Sequence, residues 1–347
     1  MGDEKMKKTT VLLIALILFN FMGHKITSAD EPKKLAQSTM TFLNIEVGAR
    51  AVGMGGSFIC MDKDPTAMFW NPAGIAGIQG GALSLNHNQW LVDMKQYAIA
   101  AAYGTPMLGT FGVSFMYMDN GELERTTPVD FSVNPEGYII EGSFNVNQFV
   151  AGLSYGRQIT DKFSIGGQIK YAYQDLGAAD ILMQTVESAD TLLDKKNHEG
   201  AIALDFGTLY YTGFKDLRVA MSFRNFSRSI KYAYESYELP LTFKVGIAMN
   251  VLSVLTPDMT SHSLQIAVEA VRPKDYTERI HLGAEYFFQN LLALRAGYKF
   301  NYDEEGFSAG IGLYPSFGGM RMKIDYAYST FGDVFGSVQR VSFGFSF

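Results

Sequence analysis

The sequence predicts an all-β fold, a 14-stranded antiparallel transmembrane β-barrel, and three observations predict it. From Gly81 to the last residue, segment after segment alternates apolar and polar side chains, the period of a strand with two unlike faces. Each segment is about ten residues long, which is what a tilted membrane-spanning strand needs. The connections alternate short and long, as in bacterial outer-membrane barrels with short periplasmic turns and long outer loops. A soluble sandwich shares the alternation but has no reason for the asymmetry of the connections.

Composition agrees. The 347 residues carry a net charge of −6, with 47% hydrophobic, 14% aromatic and only 18% charged residues, and 35 are Gly. Soluble domains average about 25% charged residues and about 7% Gly. The aromatic excess without Pro- or Ser-rich tracts excludes a disordered chain. One cysteine, Cys60, excludes a disulfide scaffold and any zinc site of several thiolates. An acidic balance without a basic stripe gives no support for nucleic-acid binding.

Residues 1–29 read as a secretory signal peptide. Lys5, Lys7 and Lys8 precede the apolar run Val11 to Met22, and Thr27-Ser28-Ala29 offers a small-residue cleavage site. The apolar run is too short for a spanning helix, which needs about 20 residues. The start codon is Met1 or Met6. Removing the signal leaves 25 basic and 33 acidic residues, net −8. No other segment reaches the length of a spanning helix. The chain is therefore expected to be exported and to reach the outer membrane of a diderm bacterium.

Residues 30–80 form a second unit that lacks alternation. It carries Gly48-Ala49-Arg50-Ala51-Val52-Gly53-Met54-Gly55-Gly56, then Asp62-Lys63-Asp64-Pro65-Thr66-Ala67-Met68-Phe69-Trp70-Asn71-Pro72-Ala73-Gly74. Asn71-Pro72 and Ala73-Gly74 read as turns, and Thr66 to Trp70 as one helical turn. Gly53, Gly55 and Gly56 suit positive φ or close backbone contact with a barrel wall.

The barrel unit, 81–347, divides into fourteen segments: 82–90, 94–104, 109–118, 144–158, 163–175, 199–212, 217–226, 240–252, 262–271, 279–289, 291–301, 306–315, 320–330 and 335–347. The connections 105–108, 159–162, 213–216 and Asn290 are short; 119–143, 176–198 and 227–239 are long. With both ends of the chain in the periplasm, every one of these short connections falls inside and every long one outside. In the fifth segment Phe163, Ile165, Ile169, Tyr171 and Tyr173 oppose Ser164, Gly166, Gln168, Lys170 and Gln174. Aromatics near segment ends, such as Tyr97 with Tyr103 and Phe111 with Tyr117, suit interface girdles.

With the aromatic face towards lipid, the lumen receives Lys170, Arg218, Arg224, Lys244, Arg295, Lys299, Arg321, Lys323 and Arg340. The lumen acids are Asp205, Glu269, Glu285 and Asp325. Such a basic set either favours anions in a pore or pairs with those acids and with Glu46, Asp62 and Asp64. On the first reading the lumen prefers an anionic amphiphile or an acidic peptide segment. Both readings stay open at this point.

The Gly-rich stretch and the Asn71-Pro72-Ala73-Gly74 motif resemble the PorV/PorQ group of outer-membrane proteins, within the FadL-like β-barrels. The signal, the strand count and the aromatic terminus extend the resemblance to nearly the whole chain. It departs where that group usually has two adjacent acids before Asn-Pro-Ala, because Lys63 takes the first place. The resemblance implies that residues 36–80 fold inside the lumen as a hatch, with Gly53, Gly55, Gly56, Asp64, Asn71, Pro72, Ala73 and Gly74 at a ligand gate. The alternative is a plug that only fixes the barrel. It also implies that Phe343, Phe345 and Phe347 signal to the barrel-insertion machinery. Association with type IX protein secretion, through secreted proteins or the translocon, is the implied role, and a FadL-type conduit for hydrophobic or amphipathic compounds is the second.

Chemistry finds little footing. Gly152-Leu153-Ser154-Tyr155-Gly156 matches a nucleophile pattern, but lies in an alternating strand where that motif needs a strand-to-helix elbow. No Lys-Ser/Thr follows Gly48–Gly56, so a phosphate loop is not expected. His24, His87, His198, His262 and His281 have no metal-ligand spacing. At most, loop carboxylates such as Asp175 and Asp180 would hold Ca²⁺ weakly. Neither enzymatic activity nor a cofactor is expected.

Overall fold

A computed structural model describes residues 38–183, 191–232, 235–256 and 261–347. The signal peptide, residues 30–37 and the middle of the long connection 176–198 lie outside the described residues. The strands are β1 (Gly80–Gln89), β2 (Lys95–Thr105), β3 (Gly109–Pro128), β4 (Tyr138–Thr160), β5 (Phe163–Met183), β6 (Thr191–Tyr211), β7 (Arg218–Ser227), β8 (Ile230–Tyr232), β9 (Glu235–Tyr237), β10 (Thr242–Asn250), β11 (His262–Pro273), β12 (Arg279–Phe288), β13 (Leu292–Phe300), β14 (Glu305–Leu313), β15 (Ser316–Phe317), β16 (Met320–Phe331) and β17 (Ser337–Ser346). Fourteen of them form one closed antiparallel barrel, each paired with its neighbour. β17 closes the ring on β1, from Ala82↔Ser346 to Gln89↔Gln339. β15 is a two-residue flap on β16, and β8–β9 form a separate hairpin. Closure leaves no edge in the bilayer, where an unpaired backbone group costs several kcal/mol.

Burial alternates along each wall strand. In β2, Gln96, Ala98, Ala100 and Ala102 are buried, whereas Tyr97, Ile99 and Tyr103 are exposed. The outward set is mostly apolar, with Val113, Leu153 and Ile202 in mid-strand. It also carries cross-strand aromatic pairs, such as Phe111–Tyr155 at 5.0 Å and Phe223–Phe243 at 4.5 Å. The inward set holds the charges and small residues. The lipid and lumen faces therefore fall as the alternation predicts.

Two expectations need correction. The connections 119–143 and 176–198 are not loops over most of their length. β3 to β6 run for 20, 23, 21 and 21 residues, about twice a spanning strand, and continue past the rim as paired ribbons. Beyond the membrane both faces meet water, so alternation stops while pairing goes on. The second correction is at the rim of short turns, where the connection 251–261 is long and contains the helical turn Leu252–Leu255.

The described chain before β1 lies along the inner face. It starts at the rim of long connections, where Thr39 N donates to Glu238 O at 3.0 Å. It ends at the other rim, where Gly81 exchanges backbone bonds with Phe347. Between them come the 3₁₀ turn Thr41–Asn44, the short helix Ala49–Gly53 and the 3₁₀ turns Pro65–Phe69 and Pro72–Ile75. Phe58, Ile59, Met61, Trp70 and Ile75 within this stretch are fully buried. Each such side chain taken from water contributes about 1.5–3 kcal/mol.

Candidate functional site

The Asn-Pro-Ala-Gly motif is built as a capped turn docked on the wall. Asn71 Oδ1 accepts from Ala73 N at 3.0 Å, which caps Pro72–Ile75, and Pro72 occupies the first helical position. Asn71 Nδ2 donates to Ile59 O at 2.8 Å and to Thr208 O of β6 at 3.1 Å. The wall fits because Gly207 has no side chain: a Cβ there would stand 1.8 Å from Asn71 Oδ1. Ala73 and Gly74 are buried behind it.

The Gly-rich stretch docks on the opposite wall. Gly53 ends the short helix, and Gly55 and Gly56 take positive φ. A Cβ on Gly297 of β13 would lie 2.1 Å from Gly55 N, so backbone meets backbone at this contact.

Asp64 is the N-cap of the turn Pro65–Phe69, accepting from Thr66 N at 3.0 Å and Thr66 Oγ1 at 2.6 Å. Its other oxygen meets Arg50 at 3.2 Å and Lys323 at 3.3 Å. Burial alone would raise the Asp64 carboxyl, but Lys323, Arg50 and the Thr66 hydrogen bonds hold it well below the usual range. Arg50 then reaches Glu285, with Nη2 at 2.7 Å and Nε at 2.9 Å. Glu285 continues to Arg295 Nε at 2.6 Å, and Arg295 Nη1 ends on Asp325 at 2.7 Å. One buried chain of charges thus ties the segment to β12, β13 and β16.

The remaining bases mostly find carboxylates too. Lys299 pairs with Glu46 at 2.8 Å and also with Glu305. Lys170 pairs with Asp205 at 2.6 Å, and Arg218 with Asp62 at 3.3 Å, where Tyr211 OH also donates at 2.6 Å. Lys244 stands 3.9 Å from Glu269, whose other oxygen accepts from Ile59 N at 2.6 Å. Of the predicted basic set, only Arg224, Arg321 and Arg340 lack a carboxylate among the described residues. Arg340 bonds Ser329 Oγ at 2.8 Å and lies over Trp90; Arg321 bonds Asn290 O at 3.1 Å near the rim. Arg224 reaches only Leu43 O, at 3.4 Å, and its Nε has no partner. It borders a narrow crevice with Lys170, Trp70, Phe69 and Met116, whose cavity volume of about 20 Å³ is room for about one water.

Arg50 was missed by sequence reasoning. A lone cation in a run of Gly, Ala and Val was the available signal. Phe343 and Phe347 are exposed on the lipid face, with Phe345 half-buried on the same parity. Ser154 lies mid-strand in β4, pointing inward within 2.9 Å of the Gln168 amide. Among the described residues no group of His, Cys, Asp and Glu is placed to hold a metal. No described helix is long and apolar enough to cross a membrane.

With this geometry in hand, comparison is informative. The model of the type IX secretion system membrane protein PorP/SprF family matches residues 138–343, and that of the uncharacterised protein family UPF0164 matches residues 21–232. Each spans more than half of the chain. The chain belongs to both families. No curated protein sequence matches. Among solved structures it is similar to the CymD monoaromatic hydrocarbon channel (TM-score 0.57, 14% identity, covering 87% of this chain and 98% of that one). It is also similar to the Pseudomonas putida toluene transporter TodX (0.55, 12%, 86% and 97%) and to a Pseudomonas aeruginosa FadL homologue (0.52, 12%, 87% and 98%). At such identities the likeness establishes the fold, a FadL-type barrel. Together with the membrane-protein family, it makes this chain an outer-membrane β-barrel.

Proposed function

We propose that the protein is a non-enzymatic component of type IX protein secretion, contacting exported polypeptides or their translocon at the cell surface in the manner of PorV/PorQ proteins. The observation that carries this reading is the family match over residues 138–343, which includes most of the barrel. Ion pairing supports it. Six of the nine expected lumen bases, all but Arg224, Arg321 and Arg340, face carboxylates, so the basic set works as fastening more than as a selectivity ring. Removing one partner of such a buried pair costs about 3–5 kcal/mol, which favours a plug that stays put. Residues 30–80 are accordingly the plug unit, 81–347 the barrel and 1–29 the export signal; Phe343, Phe345 and Phe347 serve insertion into outer-membrane lipid. Crosslinking in native outer membrane followed by affinity purification tests the reading. Secreted proteins or a translocon should be recovered. A lipid or apolar compound recovered without any polypeptide would overturn it.

A second reading is a passive conduit for hydrophobic or amphipathic molecules, with the motif turn as a moving gate. The fold likeness to hydrocarbon channels favours it, and Arg224, whose Nε lacks a hydrogen-bond partner, would meet an anionic head group. Equal passage of cationic and anionic probes through the protein in liposomes would remove the anionic preference.

A further inference from the structure

Strands β3 and β4 continue beyond their last contact with the barrel. β2 pairs with β3 only as far as Asp119, and β4 pairs with β5 only from Asn147. Past these points β3 and β4 pair with each other alone, from Glu122↔Asn145 to Pro128↔Tyr138, and residues 129–137 turn the chain. The arm is therefore a two-stranded ribbon with water on both faces, and such hairpins are marginal by themselves. Leu123, Tyr138, Ile139 and Ile140 are exposed along it, and Phe131 and Val133 at its tip are 74% and 71% exposed.

The arm also has open edges. Above Asn147 the β4 backbone faces no β5 partner, because β5 from Ala178 onward pairs with β6 only. Native proteins blunt or cover such an edge, since its free N–H and C=O groups invite another strand. The cover must also suit the charge: residues 119–146 contain six acids and one Arg. That balance repels anionic lipid head groups and polyanions and attracts Lys- or Arg-bearing chains.

We propose that the β3–β4 arm is a docking edge for an extended, cationic segment of a partner polypeptide, which adds as a strand along β4 between Tyr138 and Val146. Main-chain bonds supply the affinity and every second side chain of the guest lies over the face that carries Tyr138 and Ile140, the logic of strand addition. The charges then select basic guests. That the guest is a polypeptide rests on the export reading above; the location and the chemistry are what this adds.

The test uses the full-length protein in zwitterionic nanodiscs and a labelled short peptide alternating Lys and Val, followed by fluorescence anisotropy with empty nanodiscs as control. The peptide should bind, and its Glu–Val counterpart should not. Reversing Glu122, Glu124 and Glu141 to Lys should weaken binding at least about tenfold, and N-methylating alternate peptide residues, in either register, should do the same. These substitutions sit on an exposed ribbon, and heat-dependent gel mobility checks that the barrel is intact. Equal binding of the two peptides, or indifference to N-methylation, would overturn the proposal. The two readings fail separately. If secretion proteins copurify equally with the charge-reversed variant, the export reading stands and the docking edge falls; if they never copurify with the natural protein, the export reading falls.

Discussion

Replacing Asn71 by Ala removes the joint that holds the motif turn to the wall. The lost cap on Ala73 N costs about 0.5–2 kcal/mol. Ile59 O, left buried without its donor at 2.8 Å, adds about 1–3 kcal/mol. The bond to Thr208 O is longer, at 3.1 Å, and counts for less. The turn should therefore undock more easily by about 2–4 kcal/mol, while the barrel ladder, which does not use this side chain, keeps its stability. Hydrogen exchange read by mass spectrometry separates the two. Amides in 59–76 should lose protection by between about thirtyfold and about a thousandfold, and those of β4 to β6 should be unchanged. Unchanged protection at 59–76, or uniform loss across the wall strands, would refute the reasoning.

Other predictions follow from the same contacts. Gly297→Ala places a Cβ 2.1 Å from Gly55 N, so the 53–57 turn should shift and expose Cys60. Cys60 is buried and its thiol is pushed up by burial, so maleimide should label the variant and spare the natural protein. Burial would raise the Glu46 carboxyl, but Lys299, His281 and Lys244 outweigh it and bring it from 4.5 down to about 2. Its contribution to docking is thus complete above pH 4.5 and lost as pH falls towards 2. Exchange at residues 41–47 should rise across that window, and Glu46→Gln should abolish the step. Leu153→Arg on the lipid face should cost about 2–4 kcal/mol in folding into vesicles.

Wall strands such as β2 and β13 were legible because lipid and lumen impose opposite chemistries on successive residues, and only there. The same contrast vanishes from 119 to 147, where both faces are wet, so the ribbon of β3 and β4 carries no periodic mark and read as a loop. The lumenal parity of Lys299 and Lys323 could be read from the chain; their partners could not. Glu46 lies 253 residues from Lys299, and Asp64 lies 259 from Lys323, separations that no local pattern encodes. The two acids flanking Lys63 likewise divide their work: Asp62 holds Arg218 and Tyr211, and Asp64 caps a turn and holds Arg50 and Lys323. The basic interior was therefore legible as strand parity, with the lumen acids and Glu46, Asp62 and Asp64 named as candidate partners and the individual pairings left open.

Fractionation of cells lacking this protein tests the central claim most directly. The account predicts that type IX cargo accumulates in the periplasm while uptake of apolar compounds is unaffected. Normal cargo at the surface, together with a failure to take up apolar compounds, would contradict it.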